Sequence, residues 1–291
     1  IGVNNTIKHL TKFGFDKTDL PRSETLALGS ASLTPLEVAT GFATFANGGF
    51  LVEPYLIERI ENSNGEVVYQ SEPNLACEPC MPVINSNEVD GVLTSSSEAT
   101  DKQFLDNSKQ STDSIDEQPN PLIKQAKRVI SSQNAFLITQ ALNSAIWGAD
   151  WNTKHVWQGT GFRARKLQRR DIAGKTGTTN EAKDAWFSGF SRRLVTTSWI
   201  GFDDPGHMLG QTVSNKNLGD NQTTGNEFGA KSAQPAWIDF MQIALGDIEP
   251  ESFQPPVDIV SVRIDKITGK LTTKTDKTSK FEYFRLGNVP T

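Results

Sequence analysis

The sequence predicts an α/β chain of the α+β class, in which an antiparallel β-sheet is flanked by helices. Three short β-rich runs, at 169–179, 185–191 and 194–204, are separated by turn residues and spaced like neighbouring antiparallel strands. Segments with helical apolar periodicity precede and follow these runs, and strands do not alternate singly with helices as in βαβ units. An antiparallel sheet covered by helices fits this order of elements.

The first strong helix signal lies at 34–47. Thr34 is the expected N-cap, Pro35 occupies the first helical position, and Glu37 can close a capping box. Asn47 and the two glycines after it favour the left-handed backbone that ends helices. The apolar stripe expected to face the core consists of Leu36, Ala39, Phe42, Ala43 and Ala46.

Two strands and a polar segment follow this helix. Residues 55–70 read as a hairpin around Asn64-Gly65. Residues 85–120 are dominated by Ser, Asp, Asn, Glu and Gln, and aromatic residues almost vanish. Such a composition buries too little apolar surface to offset the entropy of ordering, so we expect a disordered surface insertion there.

Two further helices and a terminal hairpin complete the predicted elements. The helix at 131–147 has Ser131 or Ser132 as its expected N-cap, and Pro235 starts the helix at 233–245. The run at 259–271 reads as a hairpin around Thr268-Gly269. The expected core face of the 131–147 helix consists of Ala135, Ile138, Leu142, Ala145 and Ile146. The proline-rich break before 259 divides the chain into a main part, 1–250, and a C-terminal β extension, 251–291.

The composition limits the classes of function. The 291 residues carry a formal net charge of −5, which gives no broad basic field for nucleic acid. No apolar run approaches the roughly 18–20 residues that span a bilayer. The chain opens on Ile1 without a signal peptide. We therefore expect a piece of a longer protein whose anchor or export signal lies upstream.

The two cysteines, Cys77 and Cys80, form a C-x-x-C pair. Such a pair can be redox-active, half of a zinc site or a small disulfide loop. Neighbouring prolines favour an irregular loop, so a local disulfide or structural thiols are the preferred interpretation. A metal site is not expected, because the three histidines, His9, His155 and His207, are widely scattered.

The candidate site is a cluster at 175–179, in the first of the three β-rich runs. If this run is an edge strand facing a cleft, Lys175 and Gly177 point to one face and Thr176 and Thr178 to the other. Gly177 then lets a peptide backbone lie against the strand, as strand addition requires. The threonine hydroxyls, with Thr179 at the strand's end, can hold a terminal carboxylate. Lys175 supplies positive potential and, if partly desolvated, a proton acceptor.

Three residues, Lys-Thr-Gly, are a weak signal alone, and a turn explains them equally well. The run is not a phosphate loop, because it lacks the G-x-x-x-x-G-K spacing. The surroundings are more specific: the chain contains LALGSASLTPLEVATGFATFANGG, LQRRDIAGKTGTTNEAKDAWFSGF, WIGFDD, GAKSAQPAW and EYFRLGNVPT. Over nearly its whole length the chain resembles the transpeptidase domain of class A penicillin-binding proteins, of the 1A type in Gram-negative bacteria. K-T-G is a known signature of these proteins and of serine β-lactamases.

This resemblance implies the penicillin-binding and serine β-lactamase-like transpeptidase fold and a peptidoglycan DD-transpeptidase without a cofactor. A serine in an S-x-x-K motif attacks the D-Ala-D-Ala bond of a stem peptide, and an amine of a second stem takes the acyl group. β-Lactam antibiotics acylate the same serine. By resemblance, Lys175 and Thr178 are catalytic, the latter through an oxyanion-hole amide. Thr176, Gly177, Thr178 and Thr179 bind the substrate.

The sequence departs from the family in one respect. No serine has a lysine three positions later, and the S-x-N string at 132–134 opens a helix, where a cap explains it. We therefore expect the C-terminal part of a transpeptidase domain, inactive alone. The nucleophile, a glycosyltransferase domain and an anchor to the periplasmic face of the inner membrane are expected upstream. A related DD-carboxypeptidase or β-lactamase and a silent peptide-binding module are the alternatives.

Overall fold

The computed structural model describes residues 1–77, 124–150, 157–204, 206–214 and 224–291. The predicted insertion at 85–120 and Cys80 lie outside the described residues. Cys77 is disulfide-bonded. Within the described ranges, no helix has the length and apolar character needed to cross a membrane.

Helices flank the sheet, as predicted. The α-helices are α1 (Val3–Leu10), α2 (Pro35–Ala46), α3 (Ser132–Trp147), α4 (Gly229–Ser232) and α5 (Gln234–Ala244). Short 3₁₀ helices lie at Thr11–Phe13, Glu24–Leu28, Phe162–Leu167 and Asn180–Ala182. The capping box of α2 is present in full, since Thr34 Oγ1 accepts from the Glu37 amide at 3.2 Å and Thr34 N donates to Glu37 Oε2 at 2.7 Å. Ser131 caps α3 by accepting from the Asn134 amide at 3.3 Å.

The strands are short and pair antiparallel. In chain order they are β1 (Phe50–Leu51), β2 (Arg59–Glu61), β3 (Val67–Gln70), β4 (Lys127–Arg128), β5 (Ala149–Asp150), β6 (Trp157–Gln158), β7 (Ala173–Thr178), β8 (Ala185–Phe190), β9 (Val195–Ile200), β10 (Gln211–Thr212), β11 (Gly225–Asn226), β12 (Ile259–Asp265) and β13 (Ser279–Arg285). Among the described residues, the largest sheet has the order β7-β8-β9, so β7 is an edge strand, which is the condition on which the candidate site depends. The hairpin β2–β3 at 55–70 is confirmed.

The main hydrophobic core lies between this sheet and α5. Phe187 of β8 meets Trp237 of α5 edge-on, with ring centroids 4.9 Å apart. Ile146 of α3 and Ile172, just before β7, are fully buried in the same cluster. Phe190 contacts Phe42 of α2, with centroids 6.4 Å apart. Because Phe187 and Phe190 differ by an odd number of positions on one strand, α5 and α2 cover opposite faces of the sheet.

A buried ion pair fixes the entry to β7. Arg169 Nη2 lies 2.8 Å from Asp171 Oδ2, and the two side chains are only 11% and 3% exposed. The Arg169 guanidinium also donates to the carbonyl oxygens of Leu245 and Ile248, beyond the end of α5. Asp171 in turn accepts from the Glu251 amide at 3.0 Å. Strand β7 is therefore tied to the segment that follows α5.

Three details differ from the sequence predictions. Ile138 of α3 is exposed, whereas Phe136 and Thr139 are buried. Leu36 of α2 is exposed, and the buried positions of that helix are Gly41 and Thr44. Because both helices pack on several elements, their buried positions do not follow the single apolar stripe.

The C-terminal hairpin is also longer than predicted. β12 pairs with β13 over seven residue pairs, from Ile259↔Arg285 to Asp265↔Ser279. The turn at Thr268-Gly269 exists, with Gly269 at φ 71. It closes only an isolated bridge, Ile264↔Leu271. The Thr268-Gly269 turn signal is local, so it does not predict that β12 pairs with β13, a strand farther along the chain.

Candidate active site

The five predicted site residues lie at the edge of the sheet and just beyond it. Lys175 pairs with Ser188 and Gly177 with Trp186 on the neighbouring strand β8. Thr176 is opposite Phe187 and Thr178 opposite Ala185. Alternation along β7 therefore puts Lys175 and Gly177 on one face and Thr176 and Thr178 on the other, as predicted.

The side chain of Lys175 bends round the strand edge towards the threonine face. Its Nζ donates to the Thr176 carbonyl at 2.8 Å and to Thr176 Oγ1 at 3.2 Å. In the described part of the chain, no carboxylate lies within ion-pairing distance of it. Partial burial lowers the pKa of Lys175 below its ordinary value. This ammonium is therefore close to a hydroxyl, uncompensated by an acid and easier to deprotonate than a surface lysine.

The Thr176 hydroxyl belongs to a short chain of polar groups. Its Oγ1 lies 2.8 Å from Thr160 Oγ1, in the loop after β6. Since an ammonium has only donors, Thr176 accepts from Lys175. Its own proton is then available for Thr160 or for a ligand. Thr160 was not predicted from the sequence, because nothing in a lone threonine of a GTG loop marks it.

The Thr178 hydroxyl contacts the start of α4. The Gly229 amide donates to Thr178 Oγ1 over 3.0 Å. A Cβ at Gly229 would lie 2.4 Å from the carbonyl oxygens of both Gly177 and Trp186, so the helix packs directly on the strand backbone. Sequence reasoning missed Gly229 although it lies in the quoted GAKSAQPAW run. A close backbone approach between residues 51 positions apart is a tertiary feature.

Gly177 and Thr179 also have internal contacts. A Cβ at Gly177 would lie 3.0 Å from Trp186 Cβ, so a side chain at this position would crowd the tryptophan opposite. Thr179 Oγ1 accepts from the Asp184 amide at 2.7 Å, and the Thr179 amide donates to the Asp184 carbonyl at 3.1 Å. Thr179 therefore closes the β7–β8 turn, and its hydroxyl is committed to the backbone.

Two cavities in the described surface lie away from the K-T-G strand. One cavity lies among apolar side chains of α1, α2 and α3, and another lies between the end of α2 and residues 253–256; neither is lined by a β7 residue. In the described ranges, no group of three or more His, Cys, Asp or Glu side chains could hold a metal ion. Ser132, in the S-x-N string, lines the second of these cavities and not the K-T-G strand.

The geometry as a whole suits an anionic, extended ligand. An ammonium and two hydroxyl groups lie along the last four residues of an edge strand, whose outer side pairs with no described strand. Hydroxyl and ammonium donors bind carboxylates through charge-assisted hydrogen bonds. An unpaired strand edge accepts an extended peptide backbone.

Comparison with known proteins identifies the class. The model of the penicillin binding protein transpeptidase domain matches residues 10–241. The chain therefore belongs to the family of penicillin-binding protein transpeptidase domains, as the resemblance indicated.

The individual relatives are proteins of one type. Penicillin-binding protein 1A of Vibrio cholerae is 43% identical over 293 residues, which cover 100% of this chain and 32% of that protein. Penicillin-binding protein 1A of Escherichia coli is 43% identical over 303 residues, covering 100% of this chain and 35% of that protein. The 2.6 Å crystal structure of penicillin-binding protein 1A from Haemophilus influenzae superposes with a TM-score of 0.74 at 39% identity, covering 100% of this chain and 37% of that one. The chain thus spans about a third of the length of these relatives.

Proposed function

We propose that this chain forms the carboxylate-binding wall of a peptidoglycan DD-transpeptidase. The observation that carries the proposal is the convergence of Lys175 Nζ and the hydroxyls of Thr176 and Thr178 on the edge strand β7. The substrate is the D-Ala-D-Ala end of a stem peptide, which has both an extended backbone and a free carboxylate.

The chemistry divides between this chain and an upstream part of the same protein. A serine upstream attacks the carbonyl of the penultimate D-alanine, forms an ester and releases the terminal D-alanine. An amine from a second stem peptide then attacks the ester, which forms the cross-link and frees the serine. β-Lactams enter the same pathway, because ring opening by the serine leaves a stable ester.

Each β7 residue has a part in this scheme. Thr176 and Thr178 donate hydrogen bonds from their hydroxyl groups to the substrate carboxylate, and the Thr178 amide contributes to the oxyanion hole. Lys175 supplies positive potential and, with its pKa lowered by burial, relays protons to and from the leaving amine. Gly177 has no side chain, so the ligand backbone can lie directly against the strand beside Trp186. Thr179 contributes indirectly, by holding the turn.

The length of the relatives supports a bifunctional protein. We propose that a glycosyltransferase domain and an inner-membrane anchor precede this chain and place it in the periplasm. Residues 1–250 then belong to the transpeptidase domain, and 251–291 form a β extension. The chain has no S-x-x-K motif, so the chain alone is inactive.

Fluorescent penicillin tests the proposal. The full-length protein that contains this chain should be labelled covalently, and the label should be lost on competition with unlabelled benzylpenicillin. Residues 1–291 alone should take up no label. Labelling of the isolated chain, or none of the full-length protein, would contradict the proposal. Product analysis distinguishes transfer, which yields cross-linked dimers, from hydrolysis, which yields trimmed peptides.

A further inference from the structure

We propose that Glu227 and Lys231 are positioning residues that hold Thr178 ready to donate a hydrogen bond to the substrate carboxylate. This inference rests on the proposed function, since it concerns how the same carboxylate is bound. The polar contacts that the two side chains make within the described residues are with Thr212, Gly225, Ser232 and each other, so they act on the K-T-G strand through Gly229.

The two side chains form an almost fully buried ion pair. Lys231 Nζ lies 2.7 Å from Glu227 Oε1, and the side chains are 7% and 17% exposed. Lys231 also donates to the Gly225 carbonyl at 2.8 Å. The hydroxyls of Thr212 and Ser232 donate to the two oxygens of Glu227. The carboxylate of Glu227 is thus bound from two elements, from β10 through Thr212 and from α4 through Lys231 and Ser232.

This network brackets a single turn of helix. Glu227 precedes α4 and Lys231 lies within it, so their bond spans Phe228, Gly229 and Ala230. The Lys231 amide also donates to the Phe228 carbonyl at 2.9 Å. A four-residue helix has little stability of its own, because the hydrogen bonds of one turn do not offset the free energy needed to nucleate a helix. The ion pair and its hydrogen bonds therefore fix the position of the Gly229 amide.

That amide determines the direction of the Thr178 hydroxyl. A threonine oxygen can accept from one group while its proton is donated to another. Because Thr178 Oγ1 already accepts from the Gly229 amide at 3.0 Å, its proton must point to a different acceptor. A ligand carboxylate at the edge of β7 is such an acceptor, so the buried pair keeps the hydroxyl oriented as a donor.

The test compares two penicillins on the full-length protein. One is benzylpenicillin, with a free carboxylate, and the other is its methyl ester. The Glu227→Gln variant should raise the apparent dissociation constant for benzylpenicillin by about tenfold, the value of one charge-assisted hydrogen bond. Acylation by the methyl ester should stay within about twofold, because this ligand presents no anion. The matched control is Glu282→Gln, which breaks the exposed Lys280–Glu282 pair on β13 and should change neither value.

A second pair of variants guards against misfolding. Lys231→Arg keeps the charge and should retain most of the preference for benzylpenicillin over its methyl ester. Lys231→Met should lose this preference. Thermal unfolding shows which variants are folded. Equal losses for both penicillins, or a fall in melting temperature with an unchanged preference, would overturn the positioning role alone. A wild-type protein that no penicillin acylates would instead overturn the proposed function, and this inference with it.

Discussion

The hydroxyl oxygens of Thr160 and Thr176 lie 2.8 Å apart, which joins the loop after β6 to the K-T-G strand. Lys175 Nζ, 3.2 Å from Thr176 Oγ1, extends the chain to three polar groups. The Thr176 hydroxyl is therefore held by Thr160 on one side and by Lys175 on the other. Loss of either partner should change its orientation.

Thr160→Val removes one end of this chain. The Thr176 hydroxyl loses an aligned partner, so penicillin acylation of the full-length protein should fall about three- to tenfold, equivalent to one neutral hydrogen bond. Thr160 is exposed, so the melting temperature should hardly change. Thr6→Val is the control, because the Thr6 hydroxyl donates to the carbonyl of Gly2, just before α1. An unchanged acylation rate would remove Thr160 from the site.

Lys175→Ala removes the cation. The full-length variant should lose acylation almost completely, because both the positive potential and the proton carrier are gone. The free energy of unfolding should change by only about 0.5 kcal/mol, because Lys175 belongs to no described hydrophobic core cluster or ion pair. Lys183→Ala, which breaks the nearby Lys183–Glu181 pair at 3.3 Å, should keep its activity. Wild-type labelling by the Lys175 variant would refute its role.

Gly229→Ala tests the close approach of α4 to β7. The added methyl group would lie 2.4 Å from the carbonyl oxygens of Gly177 and Trp186, so the helix must move. We expect a loss of about 1–3 kcal/mol in unfolding free energy, typical of overpacking, together with slower acylation. At Gly246 the nearest atom to such a methyl group is 3.3 Å away, so Gly246→Ala should cost clearly less than Gly229→Ala. Urea titration should give a lower unfolding midpoint for Gly229→Ala than for Gly246→Ala, and equal midpoints would contradict the close approach of α4 to β7.

Acid should unfold the protein partly through Glu227. Burial raises the pKa of this carboxyl, but hydrogen bonds from Lys231, Ser232 and Thr212, with the charge of Lys231, outweigh burial and bring the pKa to about 2. Because the folded pKa lies below the ordinary value of 4.5, its stabilisation is complete above pH 4.5. It is lost as the pH falls towards 2, by up to about 3 kcal/mol.

Melting temperatures measured from pH 6 to pH 2.5 test this dependence. Glu227→Gln should show a shallower decline over that window than the wild type. Glu282→Gln, on the exposed face of β13, is the matched control and should follow the wild-type curve. Parallel curves for the wild type and Glu227→Gln would contradict the assignment.

The Arg169–Asp171 pair should matter for stability far more than a surface pair. Asp171→Ala leaves a nearly buried guanidinium unpaired, which costs about 3–5 kcal/mol. Lys166 and Asp239 lie 3.7 Å apart with side chains 65% and 70% exposed, and Asp239→Ala should cost less than about 1 kcal/mol. Denaturant titrations of the two variants should differ accordingly, and equal midpoints would contradict the expectation.

Local signals predicted the elements well. The capping box at Thr34 and Glu37, the Ser131 cap and the start of α5 near Pro235 are confirmed, because each depends on residues within one turn. The order β7-β8-β9 follows from short turns between neighbouring strands. The edge position of the K-T-G strand was a supposition at the level of sequence, because it depends on the absence of a described partner strand on the outer side of β7.

Features that depend on distant residues were not predictable. The side chain of Ile138 continues an apolar stripe, yet it is exposed, since Phe136 and Thr139 face the core instead. The partner of β12 lies beyond the first turn, at 279–285. In the site, the contacts of Thr176 with Thr160 and of Thr178 with Gly229 join residues 16 and 51 positions apart. No local pattern encodes such pairs.

The sheet β7-β8-β9 has consequences for handling the protein in solution. Within the described ranges, no strand pairs with the outer side of β7 or of β9. Unsatisfied backbone amides and carbonyls on such borders attract other chains, which leads to self-association. Preparations of residues 1–291 should therefore become oligomeric as the concentration rises, and dilution before light scattering should return them to monomers.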